Sequence, residues 1–434
     1  MPGQRPDAAR SRPPARPVEH NTGGRFLLRT LFWAGLLLAL LPWWLGTPPG
    51  SLGSSGEIFQ AAGRITGLVA GYVLLVQVIL MSRLSWLERW IGARHLALWH
   101  HELGGFVLVA ILTHASLITV AYADFDQVSF VREAWTILSK YDDMVPAFLA
   151  AGMLVCIGLL SIRSLRRALP YELWYFLHLS AYIALLLGFS HQFTNGHELF
   201  RPGLGRTTWI SYYAVTIAAV LWGRVAAPMW LNLRHRLRVA EVVAEGPDMV
   251  SIYITGYRLN DLDAKAGQFF RWRFLSSGLW WQAHPFSLSA APNGRWLRLT
   301  VKTLGSHTMR MRSMRPGVPI YVEGPWGDFT ASRRTRSRTL LIAAGSGIGP
   351  IRALLEELPA GAVVIYRAST VDELALREEL EELAVLRHAT LWFAVGGIPV
   401  LGACSPRPAC GNWCRTSPTG MSTCAVPTGW WNPR

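Results

Sequence analysis

Long apolar stretches dominate the first half of the chain. They lie at about residues 26–45, 58–81, 96–120, 146–162, 171–192 and 207–227. Most approach the ~20 residues that a helix needs to cross a bilayer, and the fourth is at the short limit. The pattern therefore predicts a bundle of six transmembrane helices over residues 25–230.

The pattern changes after residue 230. Runs such as 250–255 and 268–274 alternate or are rich in β-forming residues, and Gly and Pro divide them. Such runs are typical of an antiparallel β-barrel, which we assign to residues 231–332. Next, strand-like and helical runs alternate at 339–344, 351–357, 362–366 and 372–383. That alternation predicts an α/β domain with a parallel, doubly wound sheet over residues 333–395.

Charged residues in the loops predict the orientation in the membrane. Arginines follow the second, fourth and sixth apolar stretches: Arg83, Arg89, Arg94, Arg163, Arg166, Arg167, Arg224, Arg234, Arg236 and Arg238. The alternate loops carry the carboxylates Asp124, Asp126, Asp142, Asp143 and Glu198. Because basic loops stay on the cytoplasmic side, we expect a multi-pass protein of the cell membrane with both termini in the cytoplasm.

The composition agrees with a membrane protein. Hydrophobic residues make up 51% of the chain and charged residues 16%, against about 25% charged in a typical soluble domain. The net charge of +15 is also compatible with nucleic-acid binding. However, many arginines lie in loops or in residues 1–24, which we expect to form a disordered basic tail, and no basic stripe alternates with aromatics. We therefore expect a lipid bilayer as partner and no nucleic acid.

Four histidines lie inside the predicted spans. His100 and His114 share the third span, and His178 and His191 share the fifth. Fourteen residues of helix rise ~21 Å in nearly four turns, so His100 and His114 share one face. Since the third and fifth spans run in the same direction, His100 can meet His178 near the cytoplasm, and His114 can meet His191 near the outer side. Two imidazoles on opposite sides of a haem iron make an electron-transfer centre, so we predict two b-type haems.

Several alternatives stay open at this stage. The histidines can instead be packing residues, and His101 can replace His100 as a ligand. The thirteen-residue step from His178 to His191 leaves them about 140° apart on an ideal helix. The fifth span must therefore bend, or the haems must sit around it differently. Arg64, near the outer end of the second span, is a candidate partner for a haem propionate or a snorkelling arginine.

Several motifs together resemble one known family. The third and fifth spans read WHHELGGFVLVAILTH and ELWYFLHLSAYIALLLGFSH. They are followed by HPFSLSAAP at 284–292, GSHT at 305–308, VEGPWG at 322–327 and GSGIGP at 345–350. In this order they resemble the ferric-reductase and NADPH-oxidase superfamily, in particular a bacterial ferric-reductase-like membrane protein with a ferredoxin-reductase-type FAD domain. The resemblance covers about residues 26–395.

The resemblance implies an FAD site in the barrel. It assigns the isoalloxazine ring and ribityl chain to His284, Pro285, Phe286 and Ser287. It assigns the pyrophosphate to Gly305, Ser306, His307 and Thr308. A rigid His-Pro step and a flat aromatic suit a planar ring, and a turn of backbone N–H groups suits phosphate.

The GSGIGP segment follows a predicted strand and opens a predicted helix, which is the context of a dinucleotide-binding turn. Gly345, Gly347 and Gly349 let the backbone approach a phosphate, and Pro350 suits the first position of the helix. At the end of the next strand lie Arg367 and Ser369. In similar proteins this place contacts the adenosine ribose, and an arginine suits a 2′-phosphate. NADPH is therefore favoured over NADH.

The end of the chain departs from the family. Residues 396–434 have no apolar periodicity, and four of the five cysteines lie there, at irregular spacings that argue against a metal site. The family usually has a Cys-Gly-Pro loop at the nicotinamide instead. Read one base earlier, with permitted codons from Ser405 onward, the tail becomes TPARLRELVPDIADRDVYLCGPDGLVES, which contains that loop. We therefore expect a change of reading frame between about Val395 and Ser405, and an incomplete NAD(P)-binding domain.

Together these features predict a transmembrane oxidoreductase. Electrons would pass from cytoplasmic NADPH through FAD and the two haems to an acceptor at the outer face, either ferric iron or oxygen. One alternative is a haem- and flavin-binding membrane protein without NADPH turnover, because its nicotinamide site is lost. A transporter that uses the helices as a plain bundle is a third possibility.

Overall fold

The computed structural model of the protein describes residues 22–396 and 421–424. These residues belong to two compact units that divide between Val225 and Ala226. The tail predicted over residues 1–24 and the altered segment predicted over 396–434 lie almost wholly outside the described residues. Each unit is therefore considered by itself.

The first unit is entirely helical. Its helices are α1 Thr22–Gly46, α2 Ser55–Leu80, α3 Ser85–Ile91, α4 Ala93–Phe125, α5 Phe130–Lys140, α6 Met144–Ser161, α7 Arg163–Ala168, α8 Tyr171–Leu179, α9 Ala181–Leu187, α10 Ser190–Thr194, α11 His197–Phe200 and α12 Leu204–Leu221. A π-turn at Trp222–Ala226 leads into α13, Ala227–His235. Six spans are long and apolar enough to cross a membrane: Gly23–Gly46, Ser55–Leu80, Ala93–Phe125, Met144–Ser161, Leu173–Thr194 and Leu204–His235. The six predicted spans are confirmed.

Helices α2 and α4 pack closely through glycines. A Cβ atom on Gly63 would lie 2.8 Å from Ile118 Cδ1, and one on Gly67 would lie 2.6 Å from His114 Nδ1. Four-residue spacing puts such glycines on one face of a helix, where they let a neighbouring backbone approach. The second and third spans are therefore held close together at the depth of His114.

The fifth span is interrupted twice. Helix α8 ends at Leu179 and α9 at Leu187, before α10 begins at Ser190. Near the second interruption the N–H of Phe189 donates to the carbonyl of Leu186 at 3.2 Å, a three-residue turn that is tighter than an α-helical one. These turns change the helical phase between His178 and His191. The fifth span therefore has the irregularity that the thirteen-residue step requires.

The second unit begins with α13, and six antiparallel strands follow. They are β1 Arg238–Ala244, β2 Met249–Thr255, β3 Phe269–Phe274, β4 His284–Ser287, β5 Leu297–Lys302 and β6 Ile320–Trp326. They form two sheets, β1-β2-β5 and β4-β3-β6, around a core that includes Phe270, Trp272 and Phe274. Single bridges, Leu288 to Leu299 and Arg238 to Pro319, join the sheets. The antiparallel prediction is confirmed, but the strands do not close into a continuous barrel.

A parallel sheet follows in the order β10-β7-β8-β9. Its strands are β7 Thr339–Ala344, β8 Val363–Ala368, β9 Thr390–Val395 and β10 Met421–Cys424. Helices α15 (Ile348–Glu357) and α16 (Arg377–Leu386) connect the first three strands, as the α/β pattern predicts, and α14 (Ser306–Met311) precedes this domain. Helix α16 begins five residues later than predicted. The reason is local, because Leu376 is left-handed (φ 60°) and Val371–Glu373 form a 3-10 turn.

Candidate functional site

The two histidines of α4 are oriented by backbone carbonyls of α2. His100 Nδ1 lies 3.2 Å from the carbonyl oxygen of Gln77, and His114 Nδ1 lies 2.7 Å from that of Gly63. A carbonyl oxygen only accepts, so both Nδ1 atoms carry the hydrogen and each Nε2 keeps its lone pair. Metal-binding histidines are commonly held in this way. Both rings therefore have the tautomer that an Nε2 ligand needs.

His100 faces His178 across the bundle. Their ring centroids are 5.9 Å apart and their planes make an angle of 70°. An imidazole nitrogen lies about 2 Å from a bound metal, so two rings on opposite sides of one ion have centres about 6 Å apart. His178 Nδ1 also lies 3.5 Å from the hydroxyl of Ser161. The spacing of the two rings is therefore compatible with both histidines binding one metal ion. His101, in contrast, is exposed.

His114 and His191 lie in the other half of the bundle. The His114 ring is packed against Gly67, where no Cβ atom would fit without a shift. His191 belongs to the short helix α10, after both interruptions of the fifth span. Its Nδ1 is buried and has no hydrogen-bond partner among the residues that the structure describes. No ring contact between His114 and His191 is found within the described part of the chain, unlike at the other pair.

Arg64 has a carboxylate partner of its own. Its Nε donates to Glu198 Oε1 at 2.6 Å, and a longer contact of 3.4 Å joins it to Thr47. The Glu198 side chain is 4% exposed, which makes the pair largely buried. Sequence reasoning treated Glu198 only as a loop charge. A haem propionate at Arg64 would have to share this guanidinium with Glu198.

The flavin motif and the GSHT turn come together in the second unit. His284 stacks on Phe286 at 5.8 Å between ring centroids, and the His307 ring lies 4.3 Å from that of His284. Trp272 donates its indole N–H to the Phe286 carbonyl at 2.9 Å, which fixes strand β4. In the turn, the Gly305 N–H bonds to the Thr308 hydroxyl at 3.0 Å. Two segments that are twenty residues apart thus line one aromatic site.

The predicted glycine-rich turn forms between a strand and a helix. Gly345–Gly347 make a 3-10 turn after β7, and Gly345 has a φ of +51°, which favours glycine. Pro350 is the third residue of α15, where the sequence predicted the first. That position is also tolerated, because the first four N–H groups of a helix have no intrahelical partner.

The predicted ribose site lies at the end of β8. Arg367 is its penultimate residue and is partly exposed, and Ser369 follows the strand in an exposed turn. The Ser369 N–H bonds to Glu373 at 3.3 Å. Within the described ranges no carboxylate pairs with Arg367, so its guanidinium is available to an anion.

Two known families match consecutive parts of the chain. Residues 66–189 match the ferric reductase like transmembrane component, and residues 234–329 match an FAD-binding domain. The chain belongs to the ferric reductase and NADPH oxidase superfamily. The first match contains His100, His114 and His178 and ends two residues before His191. The second contains both segments of the aromatic site.

Curated relatives of this superfamily differ from the chain in length. An NADPH oxidoreductase of Mycobacterium tuberculosis is 26% identical over 171 residues, 37% of this chain and 45% of that protein. Ferric reductase transmembrane component 4 of Saccharomyces cerevisiae is 24% identical over 319 residues, 69% of this chain and 40% of that protein. The matched part thus spans less than half of each relative. Among solved structures, the FAD/NAD-binding domain of a Vibrio cholerae nitric oxide dioxygenase aligns with 39% of this chain and 82% of that chain at 22% identity, with a TM-score of 0.33.

Sequence reasoning missed the glycines of the second span. Gly63, Gly67 and Gly71 recur at every fourth residue, which is a known pattern of close helix contact in membranes. Gly63 supplies the carbonyl that orients His114, and Gly67 leaves room for its ring. The pattern was readable in the sequence, but its partner helix was not.

Sequence reasoning also missed a polar cluster between the two cofactor motifs of the superfamily. Arg298 and Arg352 are 2% and 6% exposed, and both donate to the carbonyl of Ser289, at 2.9 and 3.5 Å. Glu379 pairs with both arginines. Because Ser289 lies in the HPFSLSAAP motif and Arg352 lies on the helix that follows the glycine turn, the cluster connects these two segments. Its residues are far apart in sequence and form no motif.

Proposed function

We propose that this protein is a transmembrane oxidoreductase that carries electrons from cytoplasmic NADPH, through FAD and two b-type haems, to ferric iron or oxygen at the outer face. Membership of the ferric reductase and NADPH oxidase superfamily supports the general activity. The observation that carries the haem proposal is the facing of His100 and His178 at 5.9 Å, with the Nδ1 of His100 bonded to a carbonyl. We further propose that the protein lies in the cell membrane with both termini in the cytoplasm.

In this proposal the chain's own residues bind the cofactors and orient the side chains that hold them. When bound, FAD supplies the conversion between the two-electron chemistry of nicotinamide and the one-electron chemistry of haem. His100 with His178, and His114 with His191, would hold the haems, and the carbonyls of α2 would fix the ligand rings. Residues 284–287 and 305–308 would hold FAD by stacking and hydrogen bonds. No side-chain acid or base is required in the membrane.

The donor site combines the glycine turn with Arg367. Backbone N–H groups at Gly345–Gly349 and the start of α15 favour a pyrophosphate. The guanidinium of Arg367, which has no carboxylate partner among the described residues, favours the extra phosphate of NADPH, which NADH lacks. The proposed donor is therefore NADPH.

A second candidate is a haem- and flavin-binding protein without NADPH turnover. The observation that favours it is the altered end of the chain. Strand β10, at residues 421–424, pairs in parallel with β7. The alternative frame encodes Val-Tyr-Leu-Cys-Gly-Pro over codons 422–427, which overlap that strand. In that frame the edge strand beside β7 would lead into the Cys-Gly-Pro loop of the family, which the printed sequence does not contain.

One purification separates these possibilities. The membrane protein is purified, its dithionite-reduced spectrum is recorded, and NADPH alone is then added to an oxidised sample. A protein that contains flavin and haem, and whose haem is reduced by NADPH, supports the oxidoreductase. Flavin and haem that only dithionite reduces support the second candidate. A protein without haem would contradict both and leave a plain helical bundle, such as a transporter.

Replacing Gly67 with alanine is expected to remove the haem of the His114 pair. The new Cβ atom would lie 2.6 Å from His114 Nδ1, closer than atoms pack, so the ring must move. The haem content measured by pyridine haemochrome should fall by about half. Gly105→Ala is the matched control, since a Cβ atom there meets nothing within 4 Å. Equal haem contents in the two variants would contradict this role of Gly67.

Acidification is expected to weaken the flavin domain. Burial, together with the nearby His307 and Arg271, lowers the pKa of His284 to about 4. Unfolded histidine has a pKa of about 6.5, so between pH 6.5 and 4 the unfolded chain binds more protons than the folded one. The free energy of unfolding therefore decreases as the pH is lowered through this range. Flavin-fluorescence melting of the full chain should show a falling transition temperature from pH 6.5 towards 4. His284→Phe should reduce this dependence, whereas His388→Gln, at an exposed position, should not.

A further inference from the structure

An arginine and a tryptophan are stacked on one predicted haem ligand. The Trp174 ring lies nearly parallel to that of His178, at 24° and 5.1 Å between centroids. The guanidinium carbon of Arg166 lies 4.5 Å from the centroid of the Trp174 ring. Arg166 was counted only among the loop charges, and Trp174 belonged to no predicted site. The four side chains Arg166, Trp174, His178 and His100 therefore form a connected series.

Local structure explains this arrangement. Trp174 precedes His178 by four residues on α8, so both point to the same side of that helix. Arg166 lies on the short helix α7, in the loop between the fourth and fifth spans. Trp174 thus contacts the His178 ring directly, and Arg166 is linked to that ring through Trp174. The same series does not exist at the other pair, since no aromatic ring stacks on His191 within the described residues.

The series has an electrostatic consequence. Arginine stays charged in proteins, and a guanidinium over an indole face is held there by cation–π attraction. Reduction adds one negative charge to a haem. A fixed positive charge nearby stabilises the reduced form, and the effect is stronger in a low-dielectric interior than in water. The environment of the axial ligand is one of the means by which a protein sets haem potential.

We propose that Arg166, held in place by Trp174, raises the reduction potential of the haem bound by His100 and His178. Trp174 additionally fixes the rotation of the His178 ring. Both are positioning residues, because they act through His178. The inference rests on the proposed haem ligation. It gives the cytoplasmic-side haem, which would accept electrons first, a higher potential than its two histidines alone would produce.

Redox potentiometry of the purified full-length protein tests this role. Arg166→Gln is compared with Arg167→Gln, which removes the neighbouring exposed charge from the same loop. We expect Arg166→Gln to lower the potential of one haem and to leave the other unchanged, and Arg167→Gln to change neither. Arg166→Lys, which keeps the charge, should lower the potential less than Arg166→Gln does. In a His114→Ala background, which should retain only the haem of the His100 pair, the shift should persist.

A second measurement examines Trp174. Trp174→Leu should lower the same potential and change the low-spin electron paramagnetic resonance g-values of that haem, because the His178 ring loses its stacking partner. This inference alone is overturned if both haems are bound and their potentials stay unchanged in Arg166→Gln. It is also overturned if the potentials shift equally in Arg166→Gln and Arg167→Gln. A wild-type protein that shows no haem in the dithionite spectrum would overturn the proposed ligation as well.

Discussion

Replacing His100 with alanine is expected to remove one of the two haems and to leave the other in place. His100 is the only member of its pair on α4, and a buried iron with one histidine loses half of its axial ligation. His114→Ala should remove the other haem in the same way. Each variant should therefore contain about one haem per chain instead of two, by pyridine haemochrome against protein mass. Membrane insertion should persist, because all six spans keep their length and apolar character.

The adjacent histidine provides the control. His101 is exposed and on a different face of α4, so His101→Ala should keep both haems. Loss of haem in His101→Ala, with a full complement in His100→Ala, would reverse the assignment. A full complement after His100, His114, His178 and His191 are all changed to alanine would contradict the ligation as a whole.

Restoring the alternative reading frame is expected to have the largest effect on turnover. The restored segment supplies an amphipathic helix, the strand beside β7 and the Cys-Gly-Pro loop. Displacement of a reacting group by about 1 Å can cost about 100-fold in rate, so absence of the nicotinamide-side loop should cost at least that much. Anaerobic stopped-flow reduction of the flavin by NADPH should be about 100-fold faster in the restored protein than in the printed one.

Cofactor content must be matched for this comparison. Both proteins should contain equal amounts of FAD and haem, because the residues proposed to bind them lie before residue 396. Dithionite should also reduce both equally. Equal rates with NADPH would argue against the change of frame, and so would resequencing of the locus that confirms the printed frame together with full activity.

Much of the architecture follows from patterns with a short range. Six apolar spans, the antiparallel strands and the alternating α/β segment each depend on local periodicity, and the structure contains all three kinds of element. The placement of His100 and His114 on one face of α4 was also predictable, because α4 is one uninterrupted helix. The turn at Gly345–Gly347 was predictable because its glycines and its flanking elements are contiguous.

Features that depend on partners distant in sequence could not be predicted. The ion pair of Arg64 with Glu198 joins residues 134 positions apart, and nothing near Arg64 indicates it. The polar cluster around Ser289 combines residues from a strand and two helices. The two antiparallel sheets are joined by isolated bridges and a few further backbone hydrogen bonds, which no hydrophobic pattern specifies.

The interruptions of the fifth span have a consequence for how the protein assembles. Three short helical pieces have fewer internal hydrogen bonds than one continuous helix, and helices this short are marginal without tertiary support. Iron ligation at His178 and His191 would hold the first and last pieces from both ends. Before porphyrin is inserted, this span should exchange its amide hydrogens faster than the third span. Haem supply during biogenesis would then determine how much of the newly made chain escapes proteolysis.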